Sequence, residues 1–111
     1  MKLLFLFALL IGGFNHVATA QAPAEAIASK IADKMTDSLS LTQAERDQIY
    51  TVNMNLHEQK MKMRAVYQDP IQLGPQLQKI ENTRDSLYGG VLSAEKFQLY
   101  RQKKRSLVNN N

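Results

Sequence analysis

Met54, His57 and Met61 stand at i, i+3 and i+7, a spacing that on a helix brings two thioethers and an imidazole to one face. That ligand set suits Cu(I), whereas zinc would want more imidazole or carboxylate than the face supplies. Met at helical spacing packs more often than it ligates. The metal reading of Met54, His57 and Met61 is therefore the weaker alternative, and no metal or cofactor is expected. Catalysis has less material still. The chain has two His and no Cys, no Gly-rich phosphate loop, and one histidine, His57, beyond the N-terminal segment, so a nucleophile, base and orienting acid would have to converge on it unaided. Glu81 and Asp85 are four apart, but with Arg84 beside them they read as surface charges rather than an acid/base pair. These residues do not describe an enzyme.

The element that positions the Met and His residues is one long helix. Thr42-Gln43-Ala44-Glu45 fits a capping box, in which hydroxyl and carboxylate satisfy orphan backbone amides at a helix start. Nothing breaks the helix before Asp69-Pro70, so it is expected from Thr42 to about Gln68, ~39 Å at ~1.5 Å per residue. Around its wheel, Ile49, Val52, Leu56, Met63 and Tyr67 form a heptad-like seam that should face partner helices. Tyr50, Met54, Met61 and Ala65 form a second apolar stripe, and Arg46, His57, Lys60 and Arg64 a basic strip between the two. The second stripe either packs against another helix or a dimer mate, or presents an adaptable binding face, with Met and Tyr for apolar contact and cations for acidic groups. The candidate client-binding face is Arg46, Tyr50, Met54, His57, Lys60, Met61 and Arg64; dimerisation and binding are compatible.

The remaining elements are short. Met1-Lys2, the apolar run Leu3 to Ile11 and Ala18-Thr19-Ala20 read as a signal peptide over residues 1–20, too short to span a bilayer, so an exported, soluble protein is expected. Residues 21–24 read as a flexible leader, 25–108 as one helical domain and 109–111 as a frayed tail. A first helix from about Glu25 to Ser38 carries Ile27, Ile31, Met35 and Leu39, with Ala28 and Ala32 beside them. Ile71 to Pro75 reads as a connector. A third helix from about Gln76 carries Leu77, Ile80, Leu87 and Tyr88 up to Gly89-Gly90, and a fourth opens at Ser93 with Phe97, Tyr100, Lys104 and Leu107 on one side. The class is all-α, four helices with one long central helix. Without cysteine, an exported chain this small must find its stability in helix packing or oligomerisation. The run Arg101, Lys103, Lys104, Arg105 complements the negative end of the last helix. The net charge of +4 comes with no nucleic-acid recognition motif, so no nucleic-acid partner is expected.

Leu41-Thr42-Gln43-Ala44-Glu45 and Leu92-Ser93-Ala94-Glu95-Lys96 each open a helix and form a weak internal repeat. The pair resembles the LTxxQ motif, and in a small, exported, cysteine-free helical chain it resembles the Spy and CpxP family of periplasmic proteins, from about Leu41 to Leu107. Glu45 and Lys96 replace the Gln of the motif and Ser93 its second Thr; Glu45 can still close a capping box, whereas Lys96 cannot accept an amide hydrogen bond. The resemblance implies a thin, curved helical hairpin forming an antiparallel homodimer. It also implies periplasmic ATP-independent chaperone activity on unfolded or partly folded clients, or envelope-stress sensing. Leu41, Thr42, Glu45, Leu92 and Ser93 would then cap and pack helix ends. The alternative function is an envelope-stress or metal-responsive sensor that binds one dedicated partner.

Overall fold

The computed structural model describes residues 23–109, with the side chain of Asn109 excepted, and is helical almost throughout. The expected signal peptide and the last two residues of the expected tail lie outside the described residues. Helix α1 covers residues 23–39. Ala24 is buried, so the expected leader over 21–24 is cut short: Pro23 and Ala24 already belong to the helix. Ala24, Ala28, Ile31, Ala32, Met35 and Leu39 form its buried stripe, while Ile27 is 53% exposed. The reason is phase: steps of four drift on a 3.6-residue helix, so Ile27 lies about 120° from Leu39 whereas Ala28 lies about 20° from it.

Ser40 ends α1 in the left-handed region at φ 57. The Leu41 N–H donates to the Thr36 carbonyl at 3.3 Å, the six-to-one bond of a Schellman turn, made here with Ser where Gly would be unstrained. The turn delivers Leu41 to the core and Thr42 to the start of α2 (Gln43–Val66), where the capping box forms in full: Thr42 accepts from the Glu45 amide and Glu45 from the Thr42 amide.

The expected connector Ile71 to Pro75 is helical. Helix α3 spans Pro70–Glu81, with the Asp69 side chain accepting from the Ile71 amide and Pro70 in the first turn. Asp-Pro is thus a stop for α2 and a start for α3, since proline's missing N–H and fixed φ suit the first helical position. Pro75 sits inside the helix; Gly74 before it has no Cβ to clash with the pyrrolidine ring, which is what normally bars a helical conformation there. The third expected helix is broken at Asn82-Thr83, and α4 (Arg84–Gly89) continues it. Helix α5 (Ala94–Lys104) is capped by Ser93, and a last wide π turn (Arg105–Asn109) carries buried Leu107 and takes in Asn109, which was expected to fray.

The core lies at one end of the molecule. Ile31, Ala32, Met35, Leu39, Leu41, Ile49, Tyr88, Leu92, Tyr100 and Leu107 form one cluster, a base built by α1, the first half of α2, α4, α5 and the π turn. The second half of α2 and α3 run out from it as a two-helix arm, in which Ile80 is the buried residue of α3. The outline measures 52 × 40 × 21 Å with a radius of gyration of 17.0 Å, against about 12–13 Å for a compact chain of this length. Among the described residues no helix is long and apolar enough to cross a membrane.

Candidate functional site

Asn53 decides how the long helix is used. A mid-helix asparagine is a neutral choice in solvent, but this one is 5% exposed and points from α2 at α1, where its amide nitrogen donates to the Ala28 carbonyl at 3.1 Å. Its oxygen accepts from Arg84 Nη1 at 2.9 Å and from the Tyr88 hydroxyl, and Arg84 Nη1 also donates to the Tyr88 hydroxyl at 2.8 Å. Arg84, itself 6% exposed, turns its Nε and Nη2 onto the two carboxylate oxygens of Glu81, and Lys60 donates to the same carboxylate. A buried cation is tolerable only when paired and bonded in this way. Glu81 is therefore not the free surface charge expected for it and Asp85; with Asn53, Lys60, Arg84 and Tyr88 it forms a clamp at the root of the arm, where α1, α2, α3 and α4 meet.

Burial pushes the Glu81 carboxyl up, but the guanidinium and ammonium outweigh it and hold it below the usual glutamate value. Burial raises the Tyr88 phenol to about 12. The same logic runs through Asp85: burial opposes ionisation, yet the Tyr100 hydroxyl at 2.8 Å and the Lys104 ammonium hold the carboxyl low.

Half of the basic strip is tied to other helices. Arg46 donates to Asp33 at 2.9 Å and Ser29 at 2.8 Å, both on α1, and lies 5.8 Å from the centre of the Tyr50 ring. Tyr50 in turn packs on the edge of the core. Within the expected client-binding face, Arg46 and Lys60 are thus paired to carboxylates and Tyr50 is half-buried against the core. Met54, His57 and Met61 stay together, lining an open groove of about 360 Å³ with Ala24, Thr51, Asn55 and Glu58. Arg64 lies one turn further along and is exposed. The C-terminal run is only partly solvated. Lys104 pairs with Asp85 at 3.0 Å and Lys103 donates to the Ser38 carbonyl at 3.5 Å.

The two helix-start motifs touch. Ser93 accepts from the Lys96 amide at 3.2 Å, as a cap should, and the Lys96 side chain crosses to Glu45 Oε1 at 2.8 Å. That hydrogen bond, foremost, holds the Glu45 carboxyl below its ordinary value. The two positions where the sequence departs from glutamine thus complement each other: the carboxylate closes one cap, and the ammonium that cannot close the other ties the second motif to the first. Leu41 and Leu92, the leucines that open the motifs, are both buried. No protein-family model, curated protein or solved structure matches the chain.

Proposed function

We propose that this protein is a periplasmic, ATP-independent chaperone-like protein that holds unfolded or partly folded clients and works as a homodimer. The observation that carries the reading is the uncovered arm: Met61, Val66 and Ile71 are 48%, 67% and 82% exposed, next to the open groove at Met54 and His57. A holding surface needs apolar contact without a rigid pocket, and Met with short aliphatic side chains supplies it. Exposed Arg64 adds attraction for acidic segments, of a kind that salt should weaken. The binding face is accordingly revised to Met54, His57, Met61 and Arg64, extended to Val66 and Ile71 at the tip. A dimer suits the same surface, because two arms laid together would cover apolar area that two helices leave bare.

The test is suppression of aggregation across several unrelated denatured proteins without nucleotide. Protection of most of them, lost in Met61→Ser/Val66→Ser/Ile71→Ser with helicity retained, is expected. Unprotected aggregation of the whole panel at a molar excess of this protein refutes the reading, and binding to one partner alone would favour the sensor.

A further inference from the structure

Three of the four soft or borderline donors of α2 lie outside the core on one side of the helix, while the fourth, Met63, faces α3. Met35 is completely buried and fills the base, but Met54 and His57 are half-buried, Met61 is 48% exposed, and all three open onto one groove. His57 is the middle residue. Met54 lies three residues before it and Met61 four after, the two spacings that place side chains on adjacent turns with Cβ atoms about 5–6 Å apart. Each thioether is therefore the imidazole's neighbour on the helix surface. Neither sulfur is committed to a packed interior, and the His57 side chain has no hydrogen-bond partner among the described residues. Because the donors come from one unbroken helix, the backbone that spaces them is already ordered before any ligand arrives.

We propose that Met54, His57 and Met61 form a Cu(I) site on the wall of this groove. Two thioether sulfurs and one imidazole nitrogen give a three-coordinate, soft set. Cu(I) accepts low coordination and prefers sulfur, whereas Zn(II) seeks four ligands and harder donors. The groove offers Glu58 as its one carboxylate, and no group of three or more His, Cys, Asp or Glu suited to a metal exists among the described residues. The donor set thus discriminates by softness. The site stands independently of the client-binding reading: it needs the three donors, not the exposed tip at Val66 and Ile71.

The experiment titrates the full chain with Cu(I) under anaerobic, reducing conditions against bicinchoninate, following the chromophoric copper complex as the protein withdraws metal. One copper per chain is expected. Met54→Leu/Met61→Leu keeps helix propensity and volume, and should weaken apparent affinity by more than tenfold, since even partners outside the ligand shell commonly contribute about 10–100-fold. His57→Ala should do likewise, and Met63→Leu, on the face toward α3, should change nothing. X-ray absorption of the copper-loaded chain should show a mixed sulfur and nitrogen shell. Failure to withdraw copper overturns the site. So does withdrawal that persists unchanged in Met54→Leu/Met61→Leu while circular dichroism confirms the helix, because the copper would then be held elsewhere, for instance at Met1 and His16.

Discussion

Replacing Asn53 by Ala should be a costly polar truncation. The mutation deletes one donor, to the Ala28 carbonyl, and the acceptor shared by Arg84 and Tyr88. Arg84 keeps Glu81 and the Tyr88 hydroxyl, so its charge is not orphaned, and losing one charge-assisted bond costs about 1.5–3 kcal/mol. Tyr88, completely buried, keeps the bond it accepts but loses the one it donates, and a buried donor left without an acceptor costs about 1–3 kcal/mol. The sum is roughly 2.5–6 kcal/mol, of the same order as the whole stability of a small domain. Urea unfolding followed by circular dichroism reads it: with a slope near 1 kcal/mol/M the midpoint should fall by about 3 M or the chain should be largely unfolded without denaturant. The reasoning also fixes a second-site result. Tyr88→Phe should destabilise the native chain, and by less in the Asn53→Ala background, because the hydroxyl it removes has there already lost the acceptor for its proton and keeps only the bond it accepts from Arg84. A loss below about 1 kcal/mol for Asn53→Ala, or additive effects of the two mutations, would mean that the clamp does not hold the arm to the base.

Ser40→Gly should stabilise by about 0.5–1 kcal/mol, by relieving the left-handed strain at φ 57 net of the extra chain entropy of glycine, and a rise in thermal midpoint of a few degrees checks it. Glu81 and Asp85 both have native pKa values lowered below their ordinary ones, so the unfolded chain binds more protons as pH falls. Their contribution is whole above about pH 4.5 and lost as pH drops through the lowered native values, and a urea midpoint that does not fall on acidification would contradict the pairing. At the other extreme, Tyr88 should ionise only above about pH 12 or on unfolding; the part of the tyrosinate absorbance that appears together with loss of helicity should shrink in Tyr88→Phe. Reversing the motif pair, Glu45→Lys with Lys96→Glu, should retain the ion pair and transfer the capping box from α2 to α5, where Ser93 waits for a glutamate at the third helical position; each single reversal should melt lower than the double.

What could be read from the sequence was whatever depends on local chemistry. The Thr42 and Ser93 caps, the α1 stripe from Ala28 to Leu39 and the seam through Ile49 and Leu56 all follow from spacing and hydrogen-bonding groups within a few residues. What was missed depends on a second element. Asn53 carries no local signal, because a polar residue among Thr51, Asn55 and His57 looks like a solvated face until α1 is laid across it. The strip residues Arg46 and Lys60 look exposed in the sequence for the same reason; their carboxylates lie 13 and 21 residues away. The start of α3 is hidden differently, since Asp69-Pro70 is as good a beginning as it is an end, and Gly74-Pro75 shortly after it signals a turn. Lys96 looks like no more than a weakened cap because its partner, Glu45, lies 51 residues away.

A small chain without cysteine has to distribute a limited apolar core, and this one concentrates it at one end. The base is fastened by charged groups that reach between helices: Arg46 to α1, Lys96 to Glu45, Lys104 to Asp85. The comparable ties of the arm, Lys60 and Arg84 to Glu81, both sit at its root, and beyond them α2 and α3 hold each other by partly covered side chains such as Met63, Leu73 and Leu77. Local stability follows burial, so the arm should open before the base. Hydrogen exchange would register this as early loss of protection in residues 61–79 with the core of α1, α4 and α5 still closed. Whatever covers Met61, Val66 and Ile71 must then add most of its protection to those same amides, because burying apolar area where little is buried shifts the local opening equilibrium far more than adding contacts to a base that is already packed.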